Sequence, residues 1–167
     1  MSGAKIITAG TAEEIESVRL LFREYQAFLG VDLCFQGFAR ELAGLPGDYA
    51  PPGGILLLAM QGQTAAGCGA LRKLDPSTCE MKRLFVRPEF RGRGLGKALA
   101  RRLMDEAVRL NYSRIVLDTL DRLSAAMAIY ESLGFVRTRP YYQNPLPGVV
   151  YWELSLCGGQ TMSGERG

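Results

Sequence analysis

Apolar and polar positions along this chain recur in two periods, and the switches between them lay out its elements. Lys5 to Ala9 reads as a short strand. Thr11 meets Glu14 at the spacing of a capping box, so a helix starts there. Ile15, Val18, Phe22, Tyr25 and Leu29 follow at steps of three and four, on one helical face, and Gly30 closes the helix. Val31 to Leu45 reads as a loop with a second short helix, before the turn-rich runs Leu45-Pro-Gly-Asp and Ala50-Pro-Pro-Gly-Gly. Two strands follow, Ile55–Met60 and Thr64–Leu74, hinged at Gly62-Gln63. After the turn Asp75-Pro-Ser comes a strand from Thr78 to Val86, which Pro88 cannot continue.

The second half returns to helical spacing. Leu95, Leu99, Leu103, Ala107 and Leu110 form the buried stripe of a helix over about 95–110, with Arg101, Arg102, Asp105, Glu106 and Arg109 facing water. Ile115 to Thr119 is a strand and Leu123 to Leu133 a helix, ended by Gly134 in a Schellman turn with Phe135 as its apolar contact. Strands at Phe135–Thr138 and Val149–Leu156 flank a loop at Tyr141–Gly148. The order β-α-α-β-β-β-α-β-α-β-β predicts an α/β domain: a mixed sheet (α+β) of about seven strands with helices on both faces.

Composition narrows the class. The chain of 167 residues fits one domain, taken as 1–157, and the glycine-rich segment 158–167 is expected to fray. A formal charge of +3 is too small for a nucleic-acid binder, yet permits a local anion site. The chain contains no histidine, which excludes Ser–His and Cys–His nucleophilic pairs and the familiar zinc patterns, so no metal site is expected. Cys34, Cys68, Cys79 and Cys157 form no CxxC pair and read as reduced thiols of a cytoplasmic protein. The N-terminus lacks the apolar core of a secretory signal, and Ile55–Met60 is too short to span a bilayer.

The stretch that carries chemistry is Arg87-Pro-Glu-Phe-Arg-Gly-Arg-Gly-Leu-Gly-Lys97, between a strand and the long helix. Gly92, Gly94 and Gly96 allow tight turning and close approach of main-chain N–H groups to a ligand. The helix start adds unpaired amides and the positive dipole end, and Arg91, Arg93 and Lys97 add charge. This reads as a pyrophosphate cradle. The Walker pattern fails because Arg91 stands at its first glycine, and GxGxxG from Gly92 fails at Lys97.

Arg91-Gly-Arg-Gly-Leu-Gly resembles the R/Q-x-x-G-x-G/A signature of the GCN5-related N-acetyltransferase (GNAT) superfamily. Ala126-Met-Ala-Ile-Tyr-Glu-Ser-Leu-Gly-Phe135 resembles its second block. The resemblance implies a GNAT-like fold and transfer of an acetyl group from acetyl-CoA, as co-substrate, directly to an amine. It implies that the coenzyme diphosphate sits on Arg91, Gly92, Arg93, Gly94, Leu95, Gly96 and Lys97. The pantetheine arm would run beside Leu84, Phe85 and Val86, in a wedge opened where that strand parts from 115–119. An N–H near Val86 would serve the thioester oxygen.

Tyr130 matches the family's tyrosine near the coenzyme sulfur, a general acid for the departing thiolate; the alternative is an aromatic packed on the sheet. Glu80 is the first candidate base. Alternation puts it on one strand face with Lys82, Leu84 and Val86, though a solvated strand carboxylate is equally consistent. Ser124 stands where many members carry an asparagine touching the coenzyme, and either contacts it or caps the helix. The acceptor mouth would be lined by Phe28, Asp32, Phe35 and Tyr142, with Tyr141 beside it. The resemblance allows a homodimer and implies neither nucleic acid nor membrane as partner. A non-catalytic acyl-CoA sensor on the same scaffold is the alternative function.

Overall fold

The computed structural model describes residues 3–156. Cys157 and the segment expected to fray lie outside them. Strand β1 (Lys5–Thr8) leads to α1 (Ala12–Leu29), where Thr11 and Glu14 form the full capping box and Gly30 takes the left-handed cap. A 3-10 turn (Cys34–Gln36) and α2 (Phe38–Gly44) precede the meander β2 (Ile55–Gln61), β3 (Thr64–Asp75) and β4 (Thr78–Val86). Then come α3 (Leu95–Arg109), β5 (Arg114–Leu120), α4 (Ser124–Ser132), β6 (Val136–Thr138) and β7 (Val149–Ser155). The element order is the one the pattern predicts.

All seven strands join one sheet in the order β1-β2-β3-β4-β5-β7-β6. Only the β4–β5 neighbours run parallel; the other pairs are antiparallel. The continuous apolar run of β2 feeds both faces of this sheet, as a strand covered on both sides must. Leu56 and Leu58 pack with Val18, Leu21 and Phe22 of α1, whereas Leu57 and Ala59 pack with Leu99 and Leu103 of α3. Each fully buried leucine contributes roughly 1.5–3 kcal/mol of transfer free energy.

Glu106 departs from the expectation that it faces water: it is buried on the flank of the α3 stripe. Burial works to raise its pKa, but hydrogen bonds from Arg109 and Arg102 outweigh that and leave the carboxylate below its usual range. Its two arginines supply what water would have. The α4 ending is a Schellman turn, with Phe135 N–H bonded to Tyr130 C=O at 3.0 Å and Gly134 N–H to Glu131 C=O at 3.1 Å. Gly134 sits at φ 98°, which a side chain would strain.

Candidate active site

Strands β4 and β5 pair only through Thr78, Cys79 and Glu80 against Arg114, Ile115 and Val116. Beyond that register β4 continues to Val86 on β3 alone, and β5 turns to β7, pairing Leu117 with Trp152. The sheet therefore splits at its middle. One departure from regular strand geometry lies where the two strands part. Arg83 and Leu84 together oppose Gly69, a bulge with Arg83 at φ 61°. A left-handed arginine costs about 1–2 kcal/mol. Here it is held by the Glu41 carboxylate of α2, with Nε and Nη2 at 2.9 and 2.7 Å, and by the Phe38 ring at 5.2 Å.

The bulge corrects the alternation expected along β4. Cys79 and Met81 point to the α3 side, as do Leu84 and Val86 one residue out of phase, while Phe85 turns to α1. Glu80 and Lys82 thus do not share a face with Leu84 and Val86.

The split opens a cavity of about 460 Å³, lined on one side by β4 from Met81 to Val86 and on the other by Asp118, Thr119 and α4. Its floor is the start of α3, where Gly92, Gly94, Leu95, Gly96 and Lys97 line the wall. Gly92 and Gly94 both stand at φ 80°, and Gly94, at the N-cap, offers no side chain to the first-turn amides. Those N–H groups are left for a ligand. A Cβ on Gly96 would lie 3.2 Å from Ile129 Cδ1 and 3.7 Å from Val86 Cγ2, both on the cavity wall. The loop thus fits an anionic group brought against bare main chain.

The chain matches the model of the acetyltransferase (GNAT) family over residues 19–135. It is 43% identical over 157 residues to an uncharacterized N-acetyltransferase of Schizosaccharomyces pombe, covering 93% of this chain and 96% of that one. The chain belongs to the GNAT family. The acetyltransferase is also 37% identical over 112 residues to the zebrafish N-acetylaspartate synthetase, covering 66% of this chain and 40% of that protein. Its fold matches an acetyltransferase of Streptococcus agalactiae with a TM-score of 0.79 at 23% identity, over 93% of this chain and 100% of that one. A Salmonella typhimurium acetyltransferase solved with its cofactor acetyl-CoA matches with a TM-score of 0.65 at 21% identity, over 93% and 95%. The GNAT fold, the enzyme class and acetyl-CoA as co-substrate, implied by the two sequence blocks, are thereby established.

Within the GNAT site the expected residues divide. Leu84, Phe85, Val86, Arg91 and the glycine loop all line the cavity. Arg91 folds back over it, its Nε donating to Val86 C=O at 2.8 Å and its guanidinium 4.5 Å from the Phe28 ring. Arg93 instead lies over Phe90, 5.8 Å from the ring centre. Ser124 is exposed at the first turn of α4 and makes no cap bond; the N-cap is Leu123, which lines the cavity with Ala125.

Tyr130 lines the cavity, braced by Phe135 at 5.7 Å and Trp152 at 6.4 Å. Burial, aided by Tyr25 and Asp118, pushes its pKa above the usual phenol value, so the proton stays on at neutral pH.

At the other end, Glu80 sits where β4 and β5 are still paired. Its Oε1 accepts from Arg72 Nε at 2.8 Å and its Oε2 from Tyr141 at 2.5 Å, and it is not part of the cavity wall. Asp118 is the carboxylate that is, fixed by the Tyr142 hydroxyl and by Asn144 Nδ2 at 2.8 Å. Tyr142 belongs to this region through Asp118, whereas Phe28 lines the cavity at its other end, against Arg91 and Phe85. Asp32 is exposed and accepts from Cys34 N–H at 2.8 Å, away from the cavity wall. Phe35 lies in the 3-10 turn, its side chain outside the described part. Tyr25, Lys82, Arg83 and Asp118 were missed by motif reading, although charges inside otherwise apolar strands are the signal that marks the last three.

Proposed function

We propose that this acetyltransferase holds the coenzyme in the β4–β5 wedge and passes its acetyl group directly to an amine, without an acyl-enzyme. The observation that carries this reading is the split sheet opening onto the uncapped start of α3 with the Tyr130 phenol on its wall. The amides at 92–97 would hold the diphosphate, and Arg91, Gly92, Gly94, Leu95, Gly96 and Lys97 frame that cradle. Strand amides of Leu84 to Val86, freed from β5 pairing, would orient the arm and meet the thioester oxygen.

Tyr130 would donate its proton to the leaving sulfur, a task for which a raised pKa is suitable. Asp118 would take the amine proton, directly or through water, because it is the carboxylate on the cavity wall. Glu80 would position Tyr141 and Arg72 rather than act on the amine. The thiols of Cys34, Cys68 and Cys79 are unpaired and fit a cytoplasmic enzyme, which the same proposal takes as a homodimer. Among the described residues, no helix is long and apolar enough to cross a membrane.

The test is acetyl-CoA titration by calorimetry together with thiol release over an amine panel. Saturable binding with amine-dependent thiol release is expected. Binding without release for any amine would return the protein to the sensor reading.

A further inference from the structure

Four cationic side chains reach the cavity wall, and three of them are accounted for. Arg83 is spent on Glu41, Arg91 lies over Phe28 at the coenzyme end, and Lys97 belongs to the first turn of α3. The fourth is Lys82, buried on the wall opposite Asp118. Among the described residues no carboxylate forms an ion pair with it. Its Nζ donates to Gln36 Oε1 at 3.3 Å, a neutral partner at the long end of the hydrogen-bond range. An ammonium carries three donors, so a buried one served in this way is far from satisfied.

We propose that the acceptor of this acetyltransferase is an amine that also carries a carboxylate, an amino acid or close analogue, and that Lys82 Nζ receives the carboxylate. The inference rests on the acetyl-transfer reading above. The wall then presents a cation from β4 and an anion, Asp118, from β5, both lining one cavity. That pair is complementary to a zwitterion, whose carboxylate meets Lys82 while its ammonium is drawn towards Asp118. The Tyr142 hydroxyl and Asn144 Nδ2 both donate to Asp118, so it keeps its place when the amine arrives.

Burial of Lys82, with the neighbouring Arg83 charge, brings its pKa down to about 8 against the opposing pull of Glu80 and Asp118. The free site thus carries a cation held under strain. An arriving carboxylate supplies the missing partner, and a charge-assisted hydrogen bond strengthens in this setting.

The experiment measures thiol release at saturating acetyl-CoA for free amino acids, each matched with the amine lacking its carboxylate. The best amino acid is expected to exceed its matched amine by about 10-fold or more in kcat/KM, the effect of a charge-assisted contact. Lys82→Met should raise the amino-acid KM by about 10-fold or more, with kcat within a factor of about three, and erase the discrimination. Lys82→Arg should restore part of it. Melting temperature is expected to hold or rise in Lys82→Met, since a buried, poorly partnered charge is removed. A lysine kept for structure would lower it, and that result counts against the proposal.

Equal use of matched amines would overturn it, as would a kcat loss in Lys82→Met common to both kinds of acceptor, which marks a base instead. Saturable acetyl-CoA binding with release only for amines lacking a carboxylate overturns this proposal alone. Absence of saturable acetyl-CoA binding removes the transfer reading with it.

Discussion

Tyr130 illustrates how one side chain can serve packing and chemistry together. Its ring packs against Phe135 and Trp152, and the residue lines the cavity. Tyr130→Phe keeps the packing and removes the proton, so turnover should fall about 100-fold or more while acetyl-CoA affinity stays within a factor of about three. Stopped thiol-release assays beside calorimetry separate the two; unchanged turnover would strip Tyr130 of the acid role. Lys82 makes a pH prediction. Its native pKa, about 8, lies below the ordinary 10.5, so between those values the unfolded chain holds a proton the native state has released. Its contribution to stability therefore rises with pH across that window. Arg83 and Arg72 push its proton off, and Glu80 and Asp118 retain it. Lys82→Met should melt above the wild type at pH 7, with the gap closing from about pH 8 to 10.5. Melts at stepped pH measure this.

Element α3 owes its ligand-facing end to what its first turn lacks. Gly94 at the N-cap leaves the amides bare, and Gly96 leaves the cavity clear of a Cβ that would meet Ile129 at 3.2 Å. Gly96→Val should therefore weaken acetyl-CoA binding about 10-fold or more without loss of folding, because valine is at least as good a helix former as glycine. Calorimetric dissociation constants and melts together decide it. The bulge in β4 depends on a different element: Glu41 of α2 reaches Arg83 with both oxygens and also accepts from the Tyr49 hydroxyl at 2.9 Å. Glu41→Ala strands a buried guanidinium in a left-handed position. It should cost about 3 kcal/mol in urea unfolding and lower kcat/KM as well. A variant as stable as the wild type would show that the bulge holds without α2.

At the scale of the whole molecule, the sheet is tight where it is paired on both sides and open along one seam. Acetyl-CoA should slow amide exchange in the segment 81–98, which borders the seam and the start of α3, and leave β2 and the first half of β3 unchanged. Uniform slowing across the sheet would argue against a ligand in the wedge. The seam also explains how much was legible beforehand. Element order, the capping box of α1, the Schellman turn after α4 and the glycine loop could be read directly, because periodicity, caps and positive-φ glycines act through neighbours in the chain. Glu106 could not: helical spacing puts it among the water-facing positions, but two arginines close over it. Nor could the face reversal at Arg83, since a bulge is fixed by the partner strand and by Glu41, more than forty residues away. The same holds for the proposed acceptor end. Lys82, Asp118, Tyr142 and Gln36 come from separate segments and meet only once the sheet has formed. Local sequence determined the elements and the glycine loop proposed as the coenzyme cradle, which is one continuous stretch of main chain. The tertiary structure alone decided which buried charges face one another across the cavity, because contact between distant segments is set by register and packing rather than by spacing along the chain.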